Sequence, residues 1–255
     1  MLRFARTCPW LSYCALLALL HFPMCATILE VIACSVADAV EAEKGGANRL
    51  EIVSALGRGG LTPPVELVRA IQQAVDLPLR VMVRESDGYQ TSGKAEIEKL
   101  CAVADEFSRL DVDGIVLGFL KGRTVDLDLT RRVLAAAPRL KATFHHAFED
   151  AADQLQVIDE IKKLSQVDRI LSHGGPGDLE QRRERLDTYV HAAAPEITII
   201  AGGGIDSRAI ALLRRSTALR EFHVGRAARR GFRVDGEVQC SKVMNLLGYS
   251  QYRPR

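Results

Sequence analysis

Eight short apolar runs, each followed by a stretch with helical spacing, organise the chain from Ile28 onward. They are ILEVIAC from Ile28, RLEIV from Arg49, LRVMVR from Leu79 and GIVLGF from Gly114, then KATFHH from Lys141, DRILSH from Asp168, ITIIAG from Ile197 and EFHVGR from Glu221. Near-continuous hydrophobicity with many β-branched residues marks parallel strands covered by helices. The segments between them, among them PPVELVRAIQQAV and KAEIEKLCAVADEFSRL, carry apolar residues at helical spacing. Eight such repeats predict an α/β fold, a single (β/α)8 TIM barrel, with a doubly wound open sheet as the alternative.

No composition break, charge block or low-complexity linker interrupts residues 27–255, which read as one domain of a length that a single barrel uses. Helix starts are expected after Thr62 (before Pro63 and Pro64), Ser92 and Asp206. A formal charge of +2, without a basic stripe, argues against nucleic acid and against a membrane surface as partners. The six cysteines form no CxxC pair or zinc spacing, so those in the body of the chain read as reduced thiols.

Residues 1–26 form an N-terminal extension. Arg3 and Arg6 precede LSYCALLALL, the outline of a secretory signal too short to span a bilayer. Cleavage after Ala26 would put Met24 where a small residue is expected. The preferred reading is a start at Met24 and a cytoplasmic protein; export is the alternative.

A barrel places its site at the carboxyl ends of the strands. Period-two alternation then groups Arg49 with Glu51, Met82 with Arg84, Thr143 with His145 and Glu221 with His223 on the inner face. His146 should face the other way. Glu51 with Arg49 or Arg84 reads either as a base beside an anion clamp or as an ion pair plugging the barrel. His145 is a candidate general acid or base, with a hydrogen-bonded core histidine as the alternative. His173, in a glycine-rich loop, either lines the mouth or is an exposed loop residue.

The seventh run ends in Gly202, Gly203 and Gly204, followed by Asp206 and a helical pattern. Glycines at this point let an anion sit against backbone N–H groups, where barrel enzymes often hold phosphate. Gly225 and the group Arg226, Arg229, Arg230 and Arg233 follow the eighth run and strengthen that expectation. A tight turn that binds nothing is the alternative.

In order, LEVIACSVADAVEAEKGGANRLEIVSALGRGGLTPP, VMVRES, TFHHAFED, RILSHGGP, AGGGID and EFHVG resemble the copper homeostasis protein CutC family. The resemblance runs from about Thr27 to the eighth strand. It implies a TIM barrel, a cytoplasmic location and a role in copper homeostasis, with copper as the ligand to be expected. By position it transfers the family's strand-end charges to Arg49, Glu51 and Arg84. The family's FHRAF histidine becomes His145, with His146 in place of the arginine, and its TSGG loop becomes Ser172, His173, Gly174 and Gly175. The glycine triplet and His223 also match. Family cysteines in LEVCVDS and ELC are replaced by Ile32 and Val53, which leaves Cys34 and His223 as candidate metal ligands.

The functional expectations are therefore three: a copper-homeostasis role with copper bound, an enzyme acting on a small phosphorylated or carboxylated molecule, or a catalytically silent scaffold or regulator if paired side chains fill the mouth. In the second, Glu51 and His145 exchange protons, Arg84 orients the substrate, and Arg49, Ser172, Gly202, Gly203, Gly204 and Gly225 hold the anion. Homo-oligomers are common for barrels and one is expected here.

Overall fold

A computed structural model describes residues 27–248. The N-terminal extension, with its signal-like stretch and Met24, lies outside the described residues. The strands, in chain order, are β1 (Ile28–Ala33), β2 (Arg49–Ile52), β3 (Leu79–Met82), β4 (Gly114–Leu117), β5 (Leu120–Lys121), β6 (Thr124–Val125), β7 (Lys141–Phe144), β8 (Val167–Ser172), β9 (Thr198–Ala201) and β10 (Glu221–Val224). All but β5 and β6, which form a small antiparallel hairpin, join one closed parallel barrel. Closure is made by β1, which pairs Ile28 with Glu221 of β10 on one side and Glu30 with Arg49 of β2 on the other. The open-sheet alternative is thereby excluded. No helix among the described residues is long and apolar enough to cross a membrane.

The alternation of side chains divides the core in two. Leu29, Val31, Leu50, Ile52, Val81 and Phe222 point outward and pack under the helices. The inward positions carry charge. Arg80 of β3 bonds Asp113 at 2.5 Å and Asp168 at 2.9–3.0 Å. Arg169 joins Asp168 to Glu221, which it meets at 2.9 Å. Arg49 links Glu221 at 2.7 Å to Glu30 at 2.5 Å, and Glu30 accepts from His223 at 2.7 Å. Glu51 stands last, 3.7 Å from the Nε2 of His223. Above this ladder Ile32, Val53, Met82 and Val116 form a small apolar cluster of their own.

Asp206 caps the helix Ser207–Ser216 as expected, accepting from the Ala209 N–H at 2.8 Å. The other two expected caps do other work. Thr62 exchanges hydrogen bonds with the Arg84 backbone, both at 2.9 Å, and ties the 55–61 loop to β3; the cap position of the next helix is Pro64. Ser92 donates to Glu96, while Gly93 begins the helix Lys94–Ser108.

Candidate functional site

A cavity of about 570 Å³ opens at the carboxyl ends of the strands. Of the residues expected there, Glu51, Arg84, His145, His223, Gly203, Gly204 and Gly225 line it. One wall is apolar, built from Ile32, Leu56, Met82, Leu171 and Ile205; at the rim stand the exposed Phe232 and Val234.

Glu51 sits where the ion ladder runs out of cations. Arg80, Arg169, Arg49 and a protonated His223 balance Asp113, Asp168, Glu221 and Glu30, which leaves Glu51 as the surplus acid. Its carboxylate has no hydrogen-bond donor among the described residues. Burial, reinforced by the charge of Glu30, outweighs the pull of His223 and Arg49 and raises the Glu51 pKa to about 7. For His223, burial opposes the charged form, but Glu51 and Glu30 together raise its pKa. Glu30 is also deeply buried, yet Arg49 and His223 hold it well below the usual carboxylate range.

Arg84 is a buried cation without a carboxylate. Its guanidinium donates to the carbonyls of Gly59 at 3.2 Å and Gly60 at 3.1 Å and to that of Asp87, and lies 5.1 Å from the Tyr89 ring centre. Its Nε has no partner. Carbonyl dipoles orient this charge but do not cancel it, so the cavity wall stays electropositive here.

The glycine triplet is approached largely by its own fold. A methyl group at Gly202 would lie 2.7 Å from Leu171 Cδ1, and one at Gly203 2.5 Å from His173 Cβ. Gly203 and Gly204 both have positive φ, 68° and 76°, and only Gly204 has open space beside it. Arg182 ties down the outer side of the turn by donating to the carbonyls of Gly202 at 3.1 Å and Gly203 at 2.8 Å. The N–H groups of Gly203 and Gly204 have no partner among the described residues. Asp206, also on the cavity wall, takes up part of the helix N-terminus with its own carboxylate.

Several expected ligands are engaged elsewhere. Arg49 is engaged by Glu30 and Glu221 inside the ladder and does not line the cavity. The fully buried Ser172 hydroxyl donates to Glu149 at 2.6 Å and does not line the cavity. Gly202 donates its N–H to the Ser172 carbonyl at 2.8 Å as part of the sheet. Of the four arginines after β10, Arg229 pairs with Asp38 at 3.0 Å, Arg230 with Glu237 at 2.7 Å and Arg233 with Asp235 at 2.5 Å. Arg226 alone of them lines the cavity.

The candidate metal ligands are not brought together. Cys34 lies on a separate depression with Asp38 and Arg229, where burial pushes its thiol pKa up despite Arg229 at 3.6 Å. His223 is held between two carboxylates. Among the described residues no three His, Cys, Asp or Glu side chains are placed to hold a metal ion. This donor set does not fit a preformed soft-metal centre.

Two cavity residues escape the alternation rule. His146 lines the cavity although it follows His145 directly, because β7 ends at Phe144 and His146 turns back with φ −59° and ψ −6°. Tyr89 arrives from the loop after β3, which has no period to read. Both His145 and His146 are neutral at pH 7. Burial is the main cause in each, helped by Arg84 at His145 and by His223 at His146, and both pKa values fall to about 3. His173 meets the His146 ring at 5.8 Å between centres, behind the cavity wall.

The CutC family pattern matches residues 27–228. A Xylella fastidiosa (strain 9a5c) protein named as a family protein CutC is 34% identical over 196 residues, covering 76% of this chain and 73% of that protein. The human protein named copper homeostasis protein cutC homolog is 30% identical over 197 residues, 77% of this chain and 72% of its own. The crystal structure of the putative copper homeostasis protein CutC from Streptococcus agalactiae matches with a TM-score of 0.72 at 24% identity. It covers 77% of this chain and 97% of that one, a likeness of fold. Joined to the barrel and its motif order, these matches make the chain a member of the CutC family.

Proposed function

We propose that the barrel mouth is an acid–base site for a small anionic molecule, with Glu51 as the group that exchanges protons. The observation that carries this reading is that Glu51 alone in the interior ladder lacks both a cation of its own and a hydrogen bond, and faces the cavity. A carboxyl group that titrates near neutral pH serves equally well as acid or base. Arg84, Arg226 and the free N–H groups of Gly203 and Gly204 supply the positive potential that draws and orients an anion. The apolar wall keeps water from the carboxyl group and strengthens these interactions.

A carbon-13 NMR titration of the glutamate carboxyls tests the reading. One resonance, missing in Glu51→Gln, should titrate near pH 7; a midpoint below 5 would refute it.

Copper as a bound cargo is the second reading, and the names of the family's members are what favour it. For this chain the separated donors lead us to expect no tight Cu(I) site. An anaerobic Cu(I) titration against a competing chelator should leave the chelator loaded, with Cys34→Ser indistinguishable from the parent. Tight one-site binding lost in that variant would restore the copper reading.

A further inference from the structure

Proton exchange at Glu51 needs a partner that receives the charge developing on the substrate, and the two adjacent histidines are not equivalent candidates. His145 accepts the Ala147 N–H at its Nδ1 (3.1 Å), so its proton sits on Nε2, and that atom is sealed from the cavity without a partner. Its ring packs 5.1 Å from Tyr89 and closes against Gly118, where an added methyl group would lie 2.5 Å from Nδ1. His145 is a wedge.

His146 is different. Its Nδ1 is shut away and unpartnered, yet the residue keeps partial exposure and lines the same cavity as Glu51 and Arg84. The opening therefore lies at the Nε2 edge. Leaving the lone pair on the sealed nitrogen and the proton on the open one avoids a buried, unpaired donor. No described residue accepts from that N–H.

We infer that His146 is the hydrogen-bond donor to a substrate carbonyl, and that the substrate is a small carboxylate or phosphate ester whose carbonyl adjoins a carbon with a removable proton. The inference rests on the acid–base reading of Glu51 above. The Glu51 carboxylate takes the proton from that carbon, and the C–H electron pair becomes a C=C bond. The carbonyl π pair moves onto oxygen, which the His146 N–H holds as an enolate. Returning the proton from Glu51 to the same carbon regenerates the substrate, and returning it to the enolate oxygen gives the enol isomer; either step restores the carboxylate. No oxidant, reductant or further reactant is consumed. A neutral imidazole suits this role, because it donates to the oxygen without first giving its proton away.

The test uses the full chain and two monoanions of equal size, oxamate, which has a planar, electron-rich carbonyl, and L-lactate, which has none. Calorimetry at pH 7 should show oxamate binding at least about tenfold more tightly. His146→Phe should bring the ratio near one, while His146→Gln, which keeps an N–H donor, should retain a several-fold preference. Nitrogen-15 NMR of the unaltered protein gives a second measure that needs no variant: oxamate should move the His146 Nε2 resonance and leave Nδ1 in place. Equal binding of the two anions, or an unmoved Nε2, overturns this inference while the acid–base reading survives. Binding of neither anion, with no glutamate titrating near pH 7, overturns both.

Discussion

The lower interior of the barrel and much of its mouth are built from the same alternating positions, yet they end in opposite states. Below, Arg49, Arg80 and Arg169 each bridge two carboxylates at 3.0 Å or closer. Above, Glu51 and Arg84 face the cavity without a mutual bond, and His146 has a free ring edge. A closed set of charges holds a shape. An open one is available to a ligand, and the contrast separates paired from unpaired polarity within a single core.

Substitutions can break this contrast. Arg49→Met leaves Glu30 with His223 and Glu221 with Arg169 but removes the cation between them, and should cost about 3–5 kcal/mol in urea unfolding. Glu51→Gln should cost almost nothing at pH 7, and a comparable loss there would erase the distinction. The pH dependence sharpens it next. A carboxyl group whose pKa rises from 4.5 to about 7 on folding contributes most below 4.5 and loses that contribution as pH climbs to 7. The protein should therefore lose up to about 3 kcal/mol between these limits, with the raised His223 acting in the same direction at the upper end. In Glu51→Gln the curve should be nearly flat to pH 6.

At the glycine turn the effects are smaller and ranked. Gly203→Ala meets both a positive φ and His173, and should cost about 2–3 kcal/mol; Gly204→Ala meets the φ alone and should cost about 1. Thermal unfolding would show the order, and equal costs would mean that the turn gives way. Asp206→Ala should cost about 1 kcal/mol through its lost cap, while inorganic phosphate binding, followed by calorimetry, should tighten as a carboxylate leaves the cavity wall.

The barrel was legible because eight runs of buried strand recur with helical segments between them, and a period of two names the inward residues without knowledge of their partners. Arg49, Glu51, Arg84 and His223 all emerged that way. Which of them were occupied was not legible, because occupancy depends on register between strands far apart in the chain. His223 meets Glu30, 193 residues away, only when β10 lies beside β1. Thr62 and Ser92 have the chemistry of helix caps but found stronger partners in the Arg84 backbone and Glu96. His146 was missed for a local reason: alternation holds only while the backbone is extended, and β7 stops two residues earlier.

The seam between β1 and β10 has a consequence for the order of events during synthesis. Glu30 and Glu51 leave the ribosome early, and the histidine beside them is made more than 170 residues later. Asp38 waits longer still, for Arg229 and the Val238 N–H. A nascent chain halted before the eighth barrel strand thus has Arg49 for Glu30 but no cation for Glu51 or Asp38, and must keep those two acids wet. The chemistry of the mouth is among the last things the growing polypeptide acquires, and it arrives together with closure.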